Sequence, residues 1–300
     1  MEKFVLRLDK AKKAIDEADY VLIGAGAGLS TAAGIEYTGE RFEKYFHDFI
    51  AEYGFTDMYS SGFYPFKTPE EKWAYWAKHV YANRYDVGKT DVYQKLLQLV
   101  KDKEYFVLTT NVESQFWING FDDERIFATQ GDYGLLQCKT PCHDKLYSNR
   151  EQVFEWVEKT ENFRIPTDLI PKCPICGGEM ELNLRVDNTF VEDDKWHRMN
   201  ENYSKFLKNI DGKTVFLEIG VGFNTPGIIR YPFEQMTYSD ENATLIRLNL
   251  DYPQAIPENK DKTINCNILQ WHLENIIFIW LNTCLLPYAG FTVLNHKHEA

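Results

Sequence analysis

Residues 20–42 read YVLIGAGAGLSTAAGIEYTGERF, and this stretch decides the fold. The apolar run Tyr20, Val21, Leu22, Ile23 gives way to Gly24, Ala25, Gly26, Ala27 and Gly28, and helix-compatible residues from Leu29 to Ala33 follow. Strand, tight turn and helix in that order make a phosphate-binding corner. Small residues let the backbone approach a pyrophosphate, and unpaired amides at the start of a helix face the anion. The spacing fits neither common nucleotide fingerprint. Where a third glycine is due there is Leu29 or Thr31, and no lysine follows as a Walker loop requires. A glycine-rich turn that merely packs a strand on a helix is the alternative, so the rest of the chain must decide.

Composition narrows the choices. A chain of 300 residues, 44% of them hydrophobic, can bury a full core and suits one large domain with a smaller insertion. A formal net charge of −12 with no run of Lys/Arg speaks against a nucleic-acid surface. Residues 1–13 (MEKFVLRLDKAKK) interleave charge with apolar residues and lack the apolar centre of an export signal, so a cytoplasmic protein is expected. Residues 275–295 carry no charge, but Asn282, Thr283, Pro287 and Gly290 interrupt them. They read as a last helix against a sheet, and no membrane span is expected.

Along the chain, residues 2–18 read as an opening helix and 20–25 as a strand. Residues 36–66 are aromatic-rich and turn-rich, too long for a simple connection: a candidate lid, or a helical satellite with its own core. Helices are predicted over 69–86 and 91–101, strands over 105–108 and 126–128, a helix over 196–210, and strands over 215–219 and 244–248. That alternation predicts an α/β fold with a doubly wound, parallel, Rossmann-like sheet. Ligands then sit outside the carboxyl ends of the strands. Those ends are residues 24–30, 109–113, 129–132, 220–224 and 249–251, all rich in glycine, amides or small polar side chains.

Between the two halves lie Cys138-x-x-x-Cys142 and Cys173-Pro-Ile-Cys176, separated by residues 143–172. In a cytosolic chain, paired cysteines on tight turns point to structural zinc. Four thiolates close a tetrahedral site and leave no open position for chemistry, although His143 could replace one of them. Cys266 and Cys284 read as buried, unpaired thiols.

Together these pieces resemble the sirtuins, NAD-consuming protein deacylases and ADP-ribosyltransferases. Residues 26–30 (GAGLS) with Gly34-Ile35 look like the opening motif of that family, and residues 109–113 (TTNVE) like its TQN-I-D motif. The cysteine pairs fall where its zinc ribbon interrupts the nucleotide-binding domain. Residues 220–223 (GVGF) and Leu248-Asn249 stand for its later nucleotide-binding stretches. The resemblance implies a single domain over 1–300, with a cofactor-loop and helical lid module at 36–90 and a small zinc-ribbon domain at 132–190. It implies an NAD site built from Gly24, Ala25, Gly26, Ala27, Gly28, Ser30, Tyr37, Arg41, Thr109, Asn111, Glu113, Gln130, Gly220, Val221, Gly222, Asn249, Leu250, Asn267 and Ile268. Asn111 and Gln130 would be catalytic, and Cys138, Cys142, Cys173 and Cys176 would hold the zinc.

Two departures matter. Residues 36–41 (EYTGER) replace the usual PDFR, and Gln130-Gly131 replaces His-Gly. That histidine is the general base of a deacylase, and a carboxamide is too weak a base near neutral pH to stand in for it. It can still hydrogen-bond ribose hydroxyls. Gln at this place resembles the macrodomain-linked microbial sirtuins, which implies protein mono-ADP-ribosylation of a lipoylated carrier of the glycine-cleavage H type, with a macrodomain hydrolase as antagonist. The alternatives are an NAD hydrolase, a module sensing NAD or ADP-ribose, and weak deacylation.

Overall fold

The computed structural model describes residues 2–267. Six strands form one parallel sheet in the order β3-β2-β1-β7-β8-β9. They are β1 (Tyr20–Ala25), β2 (Glu104–Thr109), β3 (Ile126–Ala128), β7 (Thr214–Ile219), β8 (Ala243–Leu248) and β9 (Thr263–Cys266). The chain winds outward from β1 to β3, returns to β7 on the other side of β1, and winds outward again. The strand order therefore reverses beside β1, where an open parallel sheet binds its ligand.

Each central strand is buried on both faces, which explains why its sequence is a continuous apolar run. Val21, Ile23, Val107 and Leu217 pack on one side with Leu8, Ile15, Tyr93 and Leu96 from α1 (Glu2–Glu17) and α6 (Asp91–Val100). Leu22, Phe106, Leu108 and Phe216 pack on the other with Met199 and Phe233 from α9 (Asp194–Lys208) and α10 (Arg230–Ser239). The two-residue alternation of strand side chains divides one apolar run between two cores.

Residues 36–66 are a helical satellite. They form α3 (Gly39–Tyr53) and α4 (Met58–Ser61), which join α5 (Pro69–Val80) and α8 (Arg150–Lys159) around Phe46, Phe49, Tyr75, Trp73 and Trp156. The satellite's aromatics are the packing faces of helices. The same core takes in Leu136 and Leu182 from a small antiparallel sheet, order β5-β4-β6, of β4 (Gly131–Cys138), β5 (Tyr147–Ser148) and β6 (Met180–Leu184). Thr68 caps α5 by accepting from the Glu71 amide, with Pro69 in the first turn. The predicted helix over 69–86 is α-helical only to Val80; residues 81–85 widen into a π turn.

Two short helices complete the elements used below, α2 (Ala27–Ala32) and α7 (Gln115–Ile118). No helix among the described residues is long and apolar enough to cross a membrane. Ile268, Cys284 and the uncharged stretch 275–295 lie outside the described residues.

Candidate functional site

The glycine corner sits at the carboxyl end of β1, where its residues divide into three kinds. Gly24 is a packing glycine: a Cβ there would meet Ile229 Cγ2 at 2.4 Å and the Phe233 ring at 2.6 Å. Gly26 and Gly28 donate their amides to the carbonyls of Ile219 and Gly220, both at 3.0 Å. The expectation that these amides stand unpaired is corrected, since they tie the corner to the end of β7. Gly220, at φ +61, lies so close that a Cβ on it would meet Gly28 Cα at 2.5 Å. Ala27 is exposed at the start of α2, and a Cβ at Gly222 would meet nothing within 4 Å. Open space for a ligand is at Ala27 and Gly222, with the other glycines needed to close the junction.

Asn111 is held more tightly than its motif suggests. It follows β2, is 8% exposed, and its Nδ2 donates to the Gly26 carbonyl at 3.1 Å and to Ser30 Oγ at 2.9 Å. Thr109 Oγ1 bridges the Ala25 carbonyl (3.0 Å) and the Asn111 amide (3.1 Å). Behind them, Ser30 Oγ donates to Glu113 at 2.7 Å and the Tyr93 hydroxyl donates to the same oxygen at 3.2 Å. Burial pushes the Glu113 carboxyl up, and burial followed by the neighbouring Glu113 charge pushes the Tyr93 phenol well above its ordinary value. With Nδ2 committed to the scaffold, Oδ1 is the atom Asn111 has left for a ligand.

Gln130 is half-buried in the turn after β3. Its carbonyl accepts from the Arg185 amide at 3.0 Å, and Thr129 is tied to the Thr109 carbonyl at 3.0 Å, so Asn111 and Gln130 ride on adjacent strand ends. Ser114, in the left-handed region at φ 61, hydrogen-bonds Asp132 and couples the two turns.

The remaining expected residues are placed as follows. Tyr37 shares a hydroxyl–hydroxyl contact of 2.8 Å with Tyr133, and burial raises its phenol well above the ordinary value. Arg41 donates to the Ala82 carbonyl (2.6 Å) and Asn83 Oδ1 (2.8 Å), stapling the first turn of α3 to the π turn. Val221 is buried and its carbonyl accepts from Asn249 Nδ2 at 2.8 Å. Asn249 Oδ1 accepts the amides of Asp251 and Tyr252, so both ends of that side chain shape the loop. Leu250 is exposed, and Asn267 donates to its carbonyl at 3.0 Å. An open concavity of about 980 Å³, between residues 18–20 and 101–105, lies at the amino ends of β1 and β2, the wrong end of a parallel sheet for a nucleotide.

No protein-family profile matches the chain. A Sir2 homologue solved as a mutant in complex with ADP-ribose matches with a TM-score of 0.59 at 13% identity, covering 94% of this chain and 99% of that one, a likeness of fold. Over 251 residues the chain is 36% identical to a protein ADP-ribosyltransferase of Staphylococcus aureus, covering 83% of this chain and 80% of the relative. The chain belongs to the protein ADP-ribosyltransferases, built on a Sir2-like fold. It is also 30% identical over 275 residues to a probable bifunctional ADP-ribose hydrolase/ADP-ribosyltransferase of Fusarium oxysporum f. sp. cubense, covering 86% of this chain but only 45% of that longer protein.

The small sheet carries the cysteine cluster. The four Sγ atoms of Cys138, Cys142, Cys173 and Cys176 lie within 4.8 Å of one another, with Cys138–Cys176 and Cys142–Cys173 each at 3.7 Å. A tetrahedral zinc with bonds of about 2.3 Å has edges of about 3.8 Å, so the donor set fits that ion. Backbone amides of the hairpin, led by Cys176, hold the Cys173 thiol down at about 6. His143 Nε2 stands 3.3 Å from Cys173 Sγ, which makes it a partner of a ligand while four thiols fill the site.

Several site features carry no signal in the sequence. Tyr93 lies in the helix predicted over 91–101, and its bond to Glu113 reaches across to the segment after β2. His79 is buried among Tyr37, Tyr75, Trp76 and Tyr133, and burial lowers its pKa to about 3, so it stays neutral. Under the loop of Leu250, Arg247 bonds Glu218 and Glu234 at 2.8 Å each, and Arg230 reaches the Tyr252 carbonyl at 3.0 Å. Tyr75 and Trp76 lie one helical turn from His79, but the other partners are far away in sequence, so local pattern carries no signal of those contacts.

Proposed function

We propose that this protein transfers the ADP-ribosyl group of NAD to a protein, a lipoylated carrier of the glycine-cleavage H type, with a macrodomain hydrolase as antagonist. The observation that carries this reading is the pair of carboxamides on adjacent strand ends, Asn111 with its Nδ2 pinned and Gln130 where a deacylase requires a base. Bound NAD supplies an electrophilic ribose carbon as nicotinamide leaves. In this reading Asn111 Oδ1 orients the incoming group, Gln130 fixes ribose hydroxyls, and the Ser30–Glu113–Tyr93 group holds Asn111 in place. The S. aureus relative supports the transferase. The Fusarium relative, named for a hydrolase and a transferase together, supports the antagonist. The lipoylated acceptor rests on family resemblance.

The enzyme is tested with labelled NAD, lipoylated and unlipoylated carrier protein, and an acetyl-lysine peptide. Label on the lipoylated carrier alone is expected, and Gln130→His should not create an efficient deacylase, because residues 36–41 still depart from the deacylase pattern. Robust peptide deacetylation by the wild type with no labelled protein overturns the role given to Gln130. Release of free ADP-ribose without labelled protein makes the protein an NAD hydrolase.

The position of NAD is tested by two glycines. Gly28→Val forces a side chain onto Gly220, whose Cα lies 2.7 Å from the new Cβ, and should cost at least the roughly 1–3 kcal/mol of overpacking. Gly222→Val meets open space, so its melting temperature should match the wild type while NAD affinity falls roughly tenfold or more, about 1.4 kcal/mol. Unchanged affinity by calorimetry in Gly222→Val would move the adenosine end of NAD elsewhere.

A further inference from the structure

A groove of about 420 Å³ runs between the helical satellite and the zinc-ribbon sheet, sharing no lining residue with the strand-end site. One wall is the loop after α4 together with α5, including Tyr64 and Trp76; the other is Lys139, just past β4, and the segments that flank the Cys173 hairpin. Its lining carries four lysines, Lys67, Lys72, Lys139 and Lys172, against one glutamate, Glu179, in a chain with a net charge of −12. Such a local reversal of sign attracts an oppositely charged partner.

Two of the lysines are already engaged. Lys72 pairs with Glu181 and Lys139 with Glu179, each at 2.5 Å. Lys67 and Lys172 are exposed and form no ion pair with another described residue. Tyr64, which lines the groove, is 37% exposed, and its ring packs edge to face on Tyr53, Phe55 and Phe66. Aromatic rings held by one another form a stiff platform that loses little entropy on binding.

We infer that this groove docks an acidic segment of a partner protein, in which carboxylates meet Lys67 and Lys172 and intervening apolar side chains lie on Tyr64 and Trp76. A nucleic-acid strand also uses cations and rings, but its unbroken row of phosphates would run against Glu179, the glutamate of the lining. Carboxylates spaced along a peptide avoid that group. On the reading above, which this inference takes as its basis, the partner is the acceptor protein, brought to the enzyme by a surface separate from the reacting atoms.

The test is fluorescence anisotropy with the full chain and three labelled probes: a peptide of alternating Glu and Leu, the same peptide with Gln for Glu, and an oligothymidylate. The Glu peptide should bind and weaken with added salt. Lys67→Glu with Lys172→Glu should weaken it roughly tenfold or more, while Lys67→Arg with Lys172→Arg retains it. NAD affinity by calorimetry and the melting temperature should be the same in all three proteins, which shows that the variants fold. Equal binding of the Gln peptide, an unaffected double Glu variant, or tighter binding of the oligothymidylate would each overturn the inference. Failure of the transferase reading would appear in the labelled-NAD assay and leave these peptide affinities untouched.

Discussion

Asn111→Ala should lower ADP-ribosyl transfer by roughly a hundred- to a thousandfold, about 2.7–4 kcal/mol, the usual loss when a preorganised polar contact to a charge-bearing transition state is removed. The fold should suffer far less. The variant gives up hydrogen bonds from Nδ2 to the Gly26 carbonyl and Ser30 Oγ, each worth about 1 kcal/mol net, while Ser30 keeps Glu113 as its acceptor. Tyr93→Phe is the companion variant. It removes a hydroxyl that donates to Glu113 and loosens the support of Asn111 without touching Oδ1. A positioning role requires kcat to fall with KM nearly unchanged, and to fall less than in Asn111→Ala. Single-turnover consumption of labelled NAD at the wild-type rate by Asn111→Ala would remove Asn111 from the chemistry.

Cys173→Ser combined with Cys176→Ser should abolish zinc binding, against one equivalent in wild type prepared without chelator. The expected damage is large but local. Structural zinc contributes about 10–16 kcal/mol of apparent binding energy, comparable with the whole stability of a domain, about 5–15 kcal/mol. The cysteines lie at the end of β4 and in the hairpin before β6, and Cys138 and Cys173 are buried in the core shared with α3, α5 and α8. The parallel sheet has two cores of its own and should stay folded. Hydrogen exchange should therefore show loss of protection over residues 131–184 with retention in β1, β2 and β7. Less than about half an equivalent of zinc in the wild type, or unchanged protection in the metal-free variant, would exclude a structural ion here.

The parts of the site that lie close together in sequence are legible in the sequence itself. Residues 24–30 and 109–113 were singled out because a strand end, glycines and small polar residues occur side by side, and the structure puts both at carboxyl ends of adjacent strands. The strand predicted at 126–128 is β3, and Gln130 follows it. What those residues do was less legible. Gly24 and Gly28 are required by Ile229, Phe233 and Gly220, residues far along the chain, and Asn249 spends its side chain on the Val221 carbonyl and on its own loop. Arg41 was expected at the cofactor and is anchored on Ala82 and Asn83.

Local chemistry settled the alternating strands and helices, the glycine corner and the two cysteine pairs, because dihedral preference, side-chain period and turn geometry act over a few neighbours. Tertiary packing settled the strand order, the sharing of one aromatic core by α3, α5, α8 and the small sheet, and the burial of Tyr93 against Glu113. It also consumed the amides of Gly26 and Gly28. These outcomes depend on which surfaces meet after the chain folds back on itself. A buried donor takes whichever acceptor the packing brings to it, and the linear pattern does not encode that partner.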